Sequence, residues 1–316
     1  MKLSQLISQY VAFRKGLGED FESQAWVLKS FSRAMGKSTH VADVKAHRVK
    51  VFLDGRGPIT RYWHKKHNVL LGFYRYAWTR KYVSEIPLPP VVPKLPPRFI
   101  PYIYSLDELR RLIAGTASYQ KQRILMEPVT FRTILLVLYG AGLRVSECLS
   151  LTLADVDLRQ SLLVIRNTKF YKSRLVPLGA DLSKIVLRYA QQRNKQKGHS
   201  QVPTAPFFVT KAGNQVPIRL LQRAFRRLRK QCSIRRKDGA RYEPRLHDLR
   251  HAFAVNRLTS WYQEGKDVQK LLPQLATYMG HKDIISTQVY LTITPQLLGE
   301  ANTRFAGYAF GEVSHA

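Results

Sequence analysis

Acidic side chains are scarce in this 316-residue chain: 21 Asp and Glu stand against 52 Lys and Arg, giving a formal net charge of +31. Such an imbalance repels cationic partners and concentrates polyanions at the surface, nucleic acid being the obvious one. Solubility alone needs a far smaller excess, and acidic residues serve it better. Cysteine is nearly missing as well. Cys148 and Cys232 form neither a CxxC pair nor a Cys/His cluster, which argues against a disulfide framework or a zinc site and leaves two buried thiols as the expectation. No apolar run approaches the roughly 20 residues of a spanning helix, and the N-terminus has no signal-peptide h-region. A soluble, intracellular protein is expected, with no membrane partner. Carboxylates are not clustered as in metal-dependent nucleases, and no GxxxxGK[ST] loop occurs, which is consistent with a protein that needs no metal and no nucleotide cofactor.

What is present is a 45% apolar composition, which argues against disorder, and a length that favours two domains. Both parts carry the basic excess: residues 1–95 hold 17 basic and 6 acidic side chains, and residues 96–316 hold 35 and 15. Leu3, Leu6, Ile7, Tyr10 and Val11 mark one helical stripe, and similar spacing predicts helices at about 22–35, 41–53 and 60–82. The prolines from Ile86 to Pro97 exclude helix and predict a semi-rigid linker. Ser105-Leu-Asp-Glu108 then reads as a capping box that opens a new helix. Further helices are expected at 129–139, from near Arg144, and at 181–193, 217–231, 246–260, 267–279 and 283–291. Leu162–Ile165 and Arg174–Val176 read as a hairpin with a basic loop. The expected class is mainly α with a small antiparallel β-sheet: a helical domain over 1–84, a linker over 85–100, a second domain over 101–293 and a tail over 294–316.

His247 and Arg250 stand three apart in a helical segment, so both side chains leave the same face and can address one ligand. Arginine suits two nonbridging phosphate oxygens, because its planar fork donates in parallel and stays charged. Taken singly, such a pair is more often an ordinary polar helix surface. Its neighbours raise the odds. Gly140-Ala-Gly-Leu-Arg-Val-Ser-Glu147 brings Arg144 to a glycine turn entering a helix, although alone it also fits a loop with an Arg144–Glu147 ion pair. Lys169 and Lys172 sit in the hairpin loop, where a lysine can reach a leaving oxygen; taken alone, this is a solvated basic loop.

In this order, Gly142-Leu-Arg-Val-Ser-Glu147, Lys169 with Arg174-Leu-Val-Pro-Leu178, His247-Asp-Leu-Arg-His-Ala-Phe-Ala254, and Gly280-His281 through Thr287-Gln-Val-Tyr290 resemble the tyrosine recombinase (integrase) family, including its Xer-like members. The resemblance spans about residues 100–300. It implies that Tyr290 attacks the scissile phosphate, giving a 3'-phosphotyrosyl link and a free 5'-hydroxyl. Arg144 and Arg250 then meet the charge of the five-coordinate transition state. Lys169 protonates the leaving 5'-oxygen, His247 and His281 donate hydrogen bonds and help move the tyrosine proton, Glu147 holds the cluster, and His251 supports or packs. Of 16 tyrosines, Tyr290 is singled out by lying nine residues after His281; Tyr262, Tyr278 and Tyr308 lack that spacing.

Ten cations between Arg219 and Arg241 face only Asp238. Arg219, Arg223, Arg226 and Arg227 are expected on DNA, with Lys172 and Arg174 in the catalytic domain and Lys65, Lys66 and Arg75 in the first domain. The partner implied is a double-stranded recombination site, bound by a homo-oligomer, a tetramer in synapsis. The family also suggests that the apolar tail docks on a neighbouring protomer, against the plainer option of docking on its own domain. The interval from Arg250 to His281 exceeds that of compact Xer-like members and predicts an extra turn or longer loop; it favours a mobile-element recombinase over Xer-type dimer resolution. A type IB topoisomerase or telomere resolvase shares the chemistry, and an accessory DNA-binding protein shares only the charge.

Overall fold

The computed structural model describes residues 1–292, except 37, 97–99, 119–124, 167–172, 197, 241 and 282, together with residue 299. The chain divides into two units, residues 1–99 and residues 100–316. In the first, apolar residues spaced three and four apart close a core between α1 (Leu3–Gly16), α2 (Glu22–Met35), α3 (Ala46–Asp54) and α4 (Arg61–Thr79). Leu6, Leu28, Phe31, Leu53, Leu70 and Phe73 lie at its centre. The helix expected over 41–53 is broken. A 3-10 turn occupies Val41–Asp43, Val44 and Lys45 are extended, and Lys45 becomes the N-cap of α3.

Lys66 does not lie on an open DNA-facing surface. It is 8% exposed, its Nζ donates to the carbonyls of Phe52 and Leu53 at the end of α3, and it sits 4.9 Å from the centroid of the Phe52 ring. The last carbonyls of a helix need donors from outside it, and Lys66 supplies them from the same stripe of α4 that carries Trp63 and Leu70. Lys65 and Arg75, by contrast, are exposed. From Ile86 to Pro96 the proline-rich segment holds neither helix nor strand.

In the second unit α5 (Leu106–Gly115) opens on the expected capping box. Ser105 Oγ accepts the Glu108 amide at 3.2 Å, and Glu108 Oε2 accepts the Ser105 amide at 2.9 Å. α6 (Pro128–Gly140) buries Phe131, Ile134, Leu135 and Leu138 in the middle of the unit, and the short α7 (Val145–Leu149) follows. β1 (Val156–Asp157), β2 (Leu162–Ile165) and β3 (Arg174–Pro177) form an antiparallel sheet in that order, with Leu163 opposite Val176 and Ile165 opposite Arg174. Pro177 lies on the edge strand, where a missing amide is tolerated.

Among the described residues the unit continues with α8 (Ala180–Lys195), α9 (Ile218–Gln231), α10 (Asp248–Gln263), α11 (Val268–Met279) and α12 (Ile285–Gln288), the last running into a 3-10 turn at Val289–Thr292. The class is therefore mainly α with a small antiparallel sheet. The long interval after Arg250 is absorbed by helix rather than loop. α10 continues to Gln263, Gly265 turns the chain at φ 68°, and Asp267 caps α11 by accepting the amides of Gln269 and Lys270 at 3.1 and 3.2 Å. Cys148 is buried, but Cys232 is only half-buried, so the expectation of two buried thiols holds for one. Among the described residues no helix is long and apolar enough to cross a membrane.

Candidate active site

The site is assembled around the turn between α6 and α7. Gly142 has φ +58°, and a Cβ there would lie 2.4 Å from the Phe253 ring of α10, so only glycine fits. The close approach lets its carbonyl accept from Arg250 NH1 at 2.6 Å. Two residues on, Arg144 enters α7. Glu147 accepts the Arg144 backbone amide at 3.0 Å and Arg144 NH1 at 2.6 Å. The same carboxylate accepts Arg174 NH2 and NH1 from β3 at 2.8 and 3.1 Å. Burial alone would raise the Glu147 pKa; the donors from Arg174 and Arg144 overcome it and hold the carboxyl down at about 2.

Three guanidiniums then meet three successive carbonyls at the end of α11. Arg174 Nε donates to Tyr278 at 2.9 Å, Arg250 NH2 to Met279 at 2.6 Å and Arg144 NH2 to Gly280 at 2.7 Å. Cations at a helix C-terminus are favoured by its unpaired carbonyls and its dipole. Arg250 is 2% exposed. Burial, followed by the charge of Arg144, pushes its pKa down to about 10, which leaves it charged at neutral pH.

Tyr290 is 4% exposed and belongs to the buried cluster that includes Phe253, Leu272, Leu275 and Met279. Its hydroxyl lies 3.0 Å from His251 Nδ1. His281 stacks beside it with ring centroids 6.1 Å apart, and His281 Nδ1 lies 2.7 Å from Thr287 Oγ1. Burial raises the phenol pKa, while Arg250 and Arg144 pull it back. Burial, then neighbouring positive groups, pushes His251 down to about 3 and His281 to about 4, and lowers His247. At neutral pH His251 and His281 are therefore uncharged, so each keeps one bare ring nitrogen able to accept a hydrogen bond.

These lowered values make stability depend on pH. Below the ordinary histidine value of about 6.5 the unfolded chain takes up protons that the folded site refuses. Stability is therefore complete above about pH 6.5 and is lost as the pH falls toward about 4 for His281 and 3 for His251. The thermal unfolding midpoint should fall between about pH 6.5 and 5, above most carboxylate titration, and His251→Asn should flatten that slope. A wild-type midpoint constant across the window would show that these histidines are not held neutral.

Of the site residues expected from sequence, Arg144, Glu147, His247, Arg250, His251, His281 and Tyr290 come together in this one place. Lys169, Lys172, Arg241 and the tail over 294–316, apart from residue 299, lie outside the described residues. Arg174 is corrected: its side chain is 10% exposed and bound to Glu147, so it faces the site interior rather than a duplex surface. Arg219, Arg223, Arg226 and Arg227 are exposed on α9. Arg229, from the same basic run, is buried, donating to the Pro244 carbonyl at 3.0 Å. The direct contact between His251 and Tyr290 went unread in the sequence, although His251 lies one helical turn from His247, on the same face.

Residues 106–296 match the family model described as the phage integrase family. An integrase/recombinase of Sinorhizobium fredii is 32% identical over 304 residues, covering 95% of this chain and 96% of the relative. The tyrosine recombinase XerA of Thermococcus kodakarensis is 26% identical over 287 residues, covering 85% of this chain and 90% of its own. Among solved structures, the Tn1549 transposon integrase in complex with a circular intermediate DNA superposes with a TM-score of 0.69 at 17% identity. It covers 96% of this chain and 99% of that one.

Proposed function

Because the chain belongs to the phage integrase family, we propose that it is a site-specific DNA recombinase whose nucleophile is the Tyr290 hydroxyl. One observation carries the assignment of roles. A buried tyrosine hydroxyl lies 3.0 Å from a neutral imidazole, in a site that also holds Arg144, Arg250 and His281. The hydroxyl oxygen attacks phosphorus, the bond to the 5'-oxygen breaks, and a 3'-phosphotyrosyl link forms. His251 Nδ1, where it carries no proton, accepts a hydrogen bond from the phenol and holds the hydroxyl in place, while the family resemblance gives the movement of the tyrosine proton to His247 and His281. Arg144 and Arg250 stabilise the five-coordinate phosphorane, and Lys169 protonates the leaving 5'-oxygen. A 5'-hydroxyl from a second duplex reverses the step and exchanges strands.

DNA is the partner, as it is for the Tn1549 integrase. Residues 1–84 serve as a core-binding domain that presents Lys65 and Arg75, and Arg219, Arg223, Arg226 and Arg227 bind phosphates from α9. Four protomers assemble around two sites, and the tail docks on a neighbour. The cell compartment is the cytoplasm, and the biological setting is a mobile element.

The test is to incubate the protein, in chelator, with a nicked duplex taken from the DNA flanking its coding sequence. A protease-sensitive adduct on the 3'-phosphate, followed by joining to a second duplex, is the expected result. Cleavage that needs magnesium, or that leaves free ends and no adduct, would overturn the reading.

A further inference from the structure

Strand cleavage by Tyr290 leaves one side chain of the cluster without a task. Arg174 has no part in the proposed chemistry, yet all three of its guanidinium nitrogens are engaged. NH1 and NH2 grip both oxygens of Glu147, and Nε holds the Tyr278 carbonyl. The fit leaves no spare room: a Cβ at Gly280 would lie 2.6 Å from Arg174 NH1, and Gly280 has φ +68°. Through this one guanidinium β3 is joined to α7 and to the end of α11. Glu147 at one end holds Arg144 by side chain and by backbone. The carbonyl at the other end lies three residues before His281.

A plain stabilising ion pair is the simpler account, and it fits poorly. Removing charges from water costs about as much as their attraction returns, so a buried pair is a weak source of stability. Here two arginines share one carboxylate, Glu147, which is 7% exposed. The largely buried Arg174 therefore shares its carboxylate with Arg144, whose side chain is 31% exposed, and so has only part of a counter-charge, an arrangement better suited to placing groups than to stability.

We propose that Arg174 is a positioning residue for strand cleavage: by fixing Glu147 it sets the plane of Arg144, and by fixing the Tyr278 carbonyl it sets the end of α11 that leads into His281. It acts through those two residues. The proposal rests on the reading of Tyr290 as nucleophile, and the experiment separates the two.

Single-turnover cleavage of the nicked duplex is measured at saturating protein, with DNA affinity measured separately, for wild type, Tyr290→Phe, Arg174→Met, Arg174→Lys, Arg144→Ala and the double variant Arg144→Ala/Arg174→Met. Displacing a catalytic group by about 1 Å costs on the order of 100-fold in rate. Arg174→Met is expected to cleave that much more slowly at unchanged affinity, and to slow the Arg144→Ala protein far less than the wild type. Arg174→Lys keeps the charge without the fork and should recover folding more fully than rate. Affinity lost with the cleavage rate intact would make Arg174 a DNA contact and overturn the proposal; equal slowing in both backgrounds would overturn it as general destabilisation. If Arg174→Met is unfolded at the assay temperature, Arg174→Lys is read by the same criteria, and unfolding of both overturns it too. An adduct that persists in Tyr290→Phe, or no adduct from wild type, defeats the underlying reading and the proposal with it; a normal rate in Arg174→Met beside an inert Tyr290→Phe defeats the proposal alone.

Discussion

Tyr290→Phe is expected to abolish the covalent protein–DNA product while leaving DNA binding at wild-type strength. The substitution removes one oxygen and keeps the ring in its buried cluster. Its structural cost is the lost contact with His251 Nδ1, about 1 kcal/mol, so the variant folds. Neighbouring tyrosines offer no substitute. Tyr278 donates its hydroxyl to the Pro177 carbonyl at 3.2 Å, and the Tyr139 hydroxyl accepts from Asn256 at 2.9 Å. Denaturing electrophoresis of labelled duplex reads the adduct, and mass spectrometry of the DNA-linked peptide locates it. An equally abundant adduct from Tyr290→Phe would move the nucleophile elsewhere.

Removing the buried arginine should have the next largest effect. In the proposed mechanism Arg250→Ala deletes one of the donors to the charge developing on phosphorus, and loss of one such donor costs about 100- to 1000-fold in rate. It also strips partners from the carbonyls of Gly142 and Met279, each worth about 1–3 kcal/mol if left unsatisfied. Stability and catalysis must therefore be read apart. Rates are compared at a temperature where circular dichroism shows each variant folded, with Arg250→Lys as the companion that keeps charge but not planar, paired donation. Cleavage by folded Arg250→Ala at the wild-type rate would remove Arg250 from the phosphate-binding set.

Before any coordinates, periodicity located the helices and the class, because three- and fourfold apolar spacing is a local property of the chain. It failed where a segment was too short to show a period. β1 has two residues, and the break at Val44 and Lys45 is a single change of backbone conformation. Lys66 and Arg174 were misread for a different reason: a basic residue in a basic protein was assigned by its charge rather than its phase. Lys66 falls on the buried stripe between Trp63 and Leu70. Arg174 alternates in phase with Val176, which is fully buried. In both cases the pattern held the answer that composition obscured. His251 was legible too, one helical turn from His247. What no local pattern contains is the convergence itself. Arg144, Arg174 and Arg250 come from α7, β3 and α10, and only the tertiary fold brings them to one helix end.

That convergence also limits how the chain can lengthen. Successive backbone carbonyls of a helix point about 100° apart, and Arg174, Arg250 and Arg144 each address one of three in a row. One residue inserted or deleted within α11 would rotate all three out of reach together, a frameshift of the site with no side chain replaced. The turn around Gly265 lies before the Asp267 cap, so added length there leaves the spacing from the cap to Tyr278, Met279 and Gly280 unchanged. The turn between Gln263 and Asp267 is accordingly a stretch between the two motifs that can grow without moving a guanidinium.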